Sequence, residues 1–257
     1  MASKNLPMVA EQRHNTVVKA NALIQKSRFS LSTQQQKIVL FLISQIEPQD
    51  EDFNLYEFKI ADFCRVCGID PQGDNYTALK NQIKAISDKS LWIELESGEE
   101  TLLRWIERPY ISKRNGTIKI KIDREMKPYL LQLKERFTEY ELIYTLNFKS
   151  KYSIRLYEYL KSIHYRKLKP YERTMDIEKF QKLLDSNYTE FKDFHTRVLK
   201  PAQKEINTYS DIIFDYEIIK EGRKAVAISF TIKTKDTIDR IKVSCQNNRI
   251  LDKNIGD

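Results

Sequence analysis

Several chemistries are missing from this 257-residue sequence. Six glycines leave no glycine-rich cradle for phosphates, and no G-x-x-x-x-G-K-S/T segment occurs. The three histidines, His14, His164 and His195, are never closer than 31 positions, so no H-x-H metal pair stands beside a nucleophilic tyrosine. Acidic residues are scattered rather than clustered. No catalytic residue, metal or cofactor is therefore expected, and a nuclease is disfavoured. Three cysteines make no disulfide framework, and the odd count fits a reducing compartment. Cys64 and Cys67 form a C-x-x-C, but a structural zinc needs four ligands, and Cys245 and the histidines lie far off in sequence. Both cysteines read as small hydrophobes on a short amphipathic helix, Ala61–Cys67. No apolar run approaches the roughly 18–20 residues that cross a bilayer, and Met1 to Ala22 resembles no signal peptide. No membrane association is expected, and the expected location is the cytoplasm.

What is present supports folded cores: 41% hydrophobic and 11% aromatic residues, on a chain long enough for two ordinary domains. The net charge of +8 is unevenly placed. Residues 1–145 hold 21 basic against 20 acidic side chains, residues 146–235 hold 19 against 12, and the last 22 residues hold 4 against 4. A basic unit tethered to a nearly neutral one is the electrostatic signature of a polyanion binder, although a solvated basic face without a partner would look the same.

One order of elements occurs twice. In the first half Ser32-Thr33 can cap a helix from Gln34 to Ile46, with Ile38, Phe41, Leu42 and Gln45 at helical spacing. Pro48 and the stretch to Asp52 end it. An extended piece, Phe53–Ile60, leads to the helix ending at Cys67 and Gly68. Gly73-Asp74-Asn75 then opens a third helix, whose stripe is Leu79, Ile83 and Ile86. Three strands are predicted, Leu91–Glu96, Leu102–Ser112 and Thr117–Ile122, the last two joined through Lys113-Arg114-Asn115-Gly116 as a hairpin. In the second half a helix from Ser150 to Tyr165 carries Ile154, Tyr157, Leu160 and Ile163, or Leu156 and Tyr159 beside them, on its buried side. Short extended residues Thr174–Asp176, a helix Ile177–Leu184 and a helix from about Glu190 to Asn207 follow. A hairpin with Phe214, Tyr216 and Ile218 on one arm closes the unit. Val226, Ile228, Phe230 and Ile232 alternate on the other arm, and Lys220 to Lys224 form the tip.

Three helices and a hairpin, repeated at an offset of about 115 residues, define an α+β chain of tandem winged-helix domains. The expected boundaries are a flexible arm at 1–16, domains at 17–145 and 146–235, and a tail at 236–257. The linker is expected within Lys127 to Asn147, partly helical through Tyr129–Arg136. The reading helix of the second unit leaves Lys192, Asp193, His195, Thr196, Arg197 and Lys200 outward, while Phe191, Phe194, Val198 and Leu199 face the core. Arginine pairs bidentately with guanine, aspartate accepts from cytosine and threonine meets a thymine methyl. Pro201 is expected to kink this helix. Its hairpin tip adds Lys220, Arg223 and Lys224. The equivalent face in the first unit offers Tyr76, Thr77, Lys80, Asn81 and Lys84, with Lys113 and Arg114 at the tip. DNA contact and a protein-interaction role are equally open there.

The run Val17-Val18-Lys19-Ala20-Asn21-Ala22-Leu23-Ile24, followed by Leu31-Ser32-Thr33-Gln34-Gln35-Gln36-Lys37-Ile38, resembles the start of the iteron-binding plasmid replication initiators. So does Phe194-His195-Thr196-Arg197-Val198-Leu199-Lys200-Pro201-Ala202 with Glu205-Ile206-Asn207 and Gly222-Arg223-Lys224. The likeness spans about Val17 to Lys235 and implies two winged-helix domains on directly repeated duplex origin DNA. By that likeness the second domain dominates base reading, while the first adds contacts and mediates dimerisation. Monomers initiate by helping to open the origin and recruiting host replication proteins such as the replicative helicase. Homodimers, in equilibrium with them, repress the initiator's own promoter at an operator. His195 and Thr196 stand where some relatives carry basic residues. A bacterial transcriptional repressor without a replication role is the alternative, and an origin-nicking enzyme is disfavoured by the missing histidine pair.

Overall fold

The computed structural model describes residues 6–47, 49–69, 75–164 and 169–255. Pro48, Gly73, Asp74 and Tyr165, each used above to bound an element, lie outside the described residues. The chain opens with helix α1 (Leu6–Arg13), strand β1 (Thr16–Ala20), helix α2 (Asn21–Lys26) and the short strand β2 (Ser27–Arg28). The stretch expected to be a flexible arm is thus helical over α1. The guanidinium of Arg13 is its anchor, donating to the Val66 carbonyl at 3.0 Å and the Arg65 carbonyl at 2.7 Å.

Helix α3 (Thr33–Ile43) begins where its sequence says it should. Ser32 accepts from the Gln35 amide and the Gln35 side chain bonds back to the Ser32 amide, a complete capping box. The helix is buried from Ile38 to Ile43 on every side, wider than the predicted stripe. Strand β3 (Tyr56–Lys59), helix α4 (Ile60–Val66) and helix α5 (Asn75–Ser87) follow, with Leu79, Ile83 and Ile86 of α5 in the core. Cys64 and Cys67 are buried, and burial pushes the Cys67 thiol up to about 12.

The predicted strand Leu102–Ser112 is two strands. Hairpin β4 (Ser90–Glu94) and β5 (Glu100–Arg104) joins β2 in one sheet, whereas β6 (Tyr110–Ser112) and β7 (Thr117–Ile120) join β3 in another. Between them Trp105 and Ile106 turn into the core and Pro109 has no amide to give a ladder. The β6–β7 connection is the four-residue loop Lys113 to Gly116 that the sequence predicts, and Gly116 takes the left-handed conformation there (φ 61°). Helix α6 (Lys127–Leu130) is shorter than expected, and Gln132 and Arg136, both at positive φ, end helical geometry. The segment expected to link the units then becomes strand β8 (Phe137–Glu141), paired antiparallel with β1 from Thr16↔Glu141 to Ala20↔Phe137. Helix α7 (Ile143–Leu146) follows.

Helix α8 (Lys151–His164) belongs to both units. Arg155 sends one nitrogen to the Ser27 carbonyl (2.9 Å) of the first and the Leu183 carbonyl (3.1 Å) of the second. Tyr157 packs edge-on to Tyr140 at 5.1 Å and donates to Asp211 at 2.8 Å. Leu156 and Tyr159 are buried beside Ile154, Tyr157 and Leu160, and with Arg155 and Glu158 also buried the helix is covered on most of its circumference. Strand β9 (Tyr171–Asp176), helix α9 (Ile177–Leu183), helix α10 (Phe191–Phe194), a π turn (His195–Leu199) and helix α11 (Lys200–Tyr209) lead to the hairpin of β10 (Ile212–Glu221) and β11 (Lys224–Thr234). Sheets β3-β7-β6 and β9-β11-β10 share one strand order, so the duplication is topological as well as sequential. The tail forms helix α12 (Thr237–Lys253), capped by Asp236. Among the described residues no helix is long and apolar enough to cross a membrane.

Candidate nucleic-acid interface

Phe194, Val198 and Leu199 have no exposed surface, and Phe194 meets Phe180 edge-on at 5.5 Å. That anchor turns Lys192, Asp193, Thr196, Arg197 and Lys200 to solvent together, as their spacing predicts. Asp193 and Arg197 are ion-paired one turn apart at 3.7 Å, both more than half exposed. Such a pair is worth little in water and exchanges readily for an outside partner.

His195 departs from the outward reading. It is half-buried, stacked on Phe191 at 5.8 Å and 14°, and shares a 2.9 Å hydrogen bond with the Tyr216 hydroxyl on β10. Burial, then the nearby Lys200 ammonium, hold its imidazole below the ordinary histidine value. Tyr216, expected in the core, is instead a half-buried brace between helix and hairpin. Its position opposite a histidine 21 residues upstream leaves no signal in periodicity.

Pro201 acts before its own position. The Lys200 amide donates to the His195 carbonyl, five residues back, so the helix widens by a π turn and runs on. A proline lacks the amide an α-helix needs and crowds the carbonyl four residues earlier, and a π turn accommodates both. The kink expected from sequence is this widening.

The hairpin turns tightly at Gly222 (φ 60°) and Arg223. A bulge between Ile219 and Lys220 shifts the register, which breaks the predicted alternation at Val226 and buries Ala227 instead. Lys220, Arg223 and Lys224 are exposed and, with Lys192 and His195, line a cleft of about 970 Å³ between α10 and the hairpin. Asp176, Glu178 and Glu190 also line it.

In the first unit α5 exposes Thr77, Lys80, Asn81 and Lys84, with Tyr76 half-buried. Lys84 is bonded to Asp88 at 2.7 Å, which raises its pKa. Lys113 and Arg114 are exposed at the β6–β7 loop. No cluster of three or more potential metal ligands occurs among the described residues.

The model of the initiator replication protein WH1 domain matches residues 16–161, and that of the initiator Rep protein WH2 domain matches residues 176–232. This chain belongs to the initiator replication protein family. A "Replication initiation protein" from Escherichia coli is 29% identical over 246 residues, covering 91% of this chain and 74% of its own length. Among solved structures, the Pi initiator protein in complex with iteron DNA aligns with a TM-score of 0.71 at 21% identity, over 87% of this chain and 99% of that one. The tandem winged-helix architecture of this initiator is thereby shared with a protein of known structure.

Proposed function

We propose that this initiator binds directly repeated plasmid-origin sequences as duplex DNA, without catalysis, in the bacterial cytoplasm. The observation that carries the reading is the cleft in which Lys192 of the reading helix stands with Lys220, Arg223 and Lys224 of the wing tip, while Arg197 and Lys200 are exposed further along the same helix. A helix of this kind enters the major groove while flanking cations hold phosphates. Asp193, Thr196 and Arg197 are the base readers, and His195 sets the helix against the wing. In the first unit Tyr76, Thr77, Lys80, Asn81 and Lys84, with Lys113 and Arg114, add contacts. Trp92 (47% exposed) and Leu102 (52% exposed) form a cross-strand pair on the outer β4–β5 hairpin, a surface suited to a homodimer. Monomers help to open the origin and recruit the host helicase machinery, and dimers repress the promoter.

Footprinting the purified protein on DNA flanking its gene tests the reading: regularly spaced protection is expected, and protection without preference for any repeat rejects it. Deleting the reading frame from a minimal replicon then separates initiation from repression, since continued autonomous replication leaves only a repressor. Two residue-level results follow. Arg197→Ala costs about 1–3 kcal/mol on the repeat and relaxes preference at one base position; equal losses on random duplex would make it a phosphate contact. Replacing Arg223 and Lys224 together by alanine weakens binding to all duplexes and flattens the salt dependence by about 0.9 per lost phosphate contact. An unaltered slope would remove the wing from the interface.

A further inference from the structure

Helix α12 packs outside all three of the three-stranded sheets, yet polar groups buried along it reach both units. The Asn247 side chain has no exposed surface. Its amide donates to the Tyr209 carbonyl at 2.7 Å, where α11 ends, and to the Ile143 carbonyl at 3.3 Å, in α7 of the first unit. Its oxygen accepts from Asn147 at 3.1 Å. One turn on, Leu251 lies so close to Gly68 that a Cβ there would stand 2.6 Å from Leu251 Cδ2. Arg13, 1% exposed, closes the far end: besides the last carbonyls of α4 it holds Asp252 at 2.7 Å and Asn248 at 3.1 Å. At the near end the Lys235 ammonium donates to the carbonyls of Asn207 (2.6 Å) and Ser210 (2.8 Å), where the reading helix stops.

The span thus runs from the C-terminal end of the second unit's reading helix to α4, the helix before α5 in the first. Helix α8 already joins the units, but one shared helix permits rocking about its axis. A second, separate attachment removes that freedom. The buried amides and guanidinium suit such a role, because each loses partners in both directions if the units shift, and an unpaired buried polar group is costly.

We infer that α12 fixes the distance between the two DNA-reading units, with Asn247 and Arg13 as positioning residues, so that the protein measures the separation of two DNA segments as well as reading them. The inference rests on the duplex-binding function proposed above. It is tested with the full chain on the footprinted repeat and on the same repeat with two base pairs inserted between the segments that each unit protects. For the wild type the insertion costs about tenfold or more in affinity, the order of one mismatched pair, and in Asn247→Leu and Arg13→Met that penalty falls to about threefold or less. A merely stabilising helix would lower melting temperature and leave the insertion penalty as it was, which overturns the inference. So does a wild type that prefers its repeat but ignores the insertion. A wild type with no preference for the repeat rejects duplex recognition instead. If Asn247→Leu does not fold, Asn248→Ala with Asp252→Ala, at the more exposed end, carries the same readout.

Discussion

Phe194→Ala lowers the unfolding free energy by about 3–5 kcal/mol and carries specific DNA binding away with it. The ring is fully buried against Phe180 and tilted toward Phe191, and every proposed base reader is fixed by the helix it anchors. Removing it opens a cavity under that helix and frees its first turn from α9. Urea titration with an unchanged m-value measures the first effect, and a duplex titration well below the shifted midpoint measures the second. Normal affinity in a folded variant would show that the helix is held elsewhere.

Glu158→Ala costs a similar amount, about 3–5 kcal/mol, because it strands a cation. Lys19 and Glu158 are almost wholly buried and bonded at 2.6 Å, with the Tyr140 hydroxyl donating to the same carboxylate oxygen at 2.6 Å. Burial lowers the Lys19 pKa and the glutamate opposes that shift. Without Glu158 the folded-state value falls further below the unfolded one. The unfolded chain then binds more protons than the folded chain between the two values, so stability rises with pH across that window. The deficit of Glu158→Ala relative to wild type therefore narrows as pH rises from neutrality toward about 10. Melts at several pH values check it, and a constant deficit would mean the loss comes from packing alone.

Local chemistry made much of this fold legible. Ser32 announced the start of α3, the stripe of Leu79, Ile83 and Ile86 fixed the buried side of α5, and Gly222 marked the wing turn. The exposed set on the reading helix, His195 excepted, came out of the positions of Phe191, Phe194, Val198 and Leu199. What remained hidden depends on partners far away in the chain. Strand β8 finds β1 more than a hundred residues upstream, and each taken separately has no hairpin signal. Arg13, Lys19, Asn247 and Glu158 are residue types usually solvated, and only the packed molecule gives each a buried partner. Pro201 did signal a disturbance, but whether a helix bends or inserts a π turn is decided by the packing of Val198 and Leu199.

The shared helix α8 means that the two winged-helix units have no clean joint. A cut before Lys151 strips the first unit of the side chains covering Lys19 and Tyr140, and a cut after His164 denies the second the helix on which Asp211 rests. Duplication left two recognisable modules, but a single tenon now runs through both, so one calorimetric transition for the whole chain, and no stable half in limited proteolysis, are the expected results.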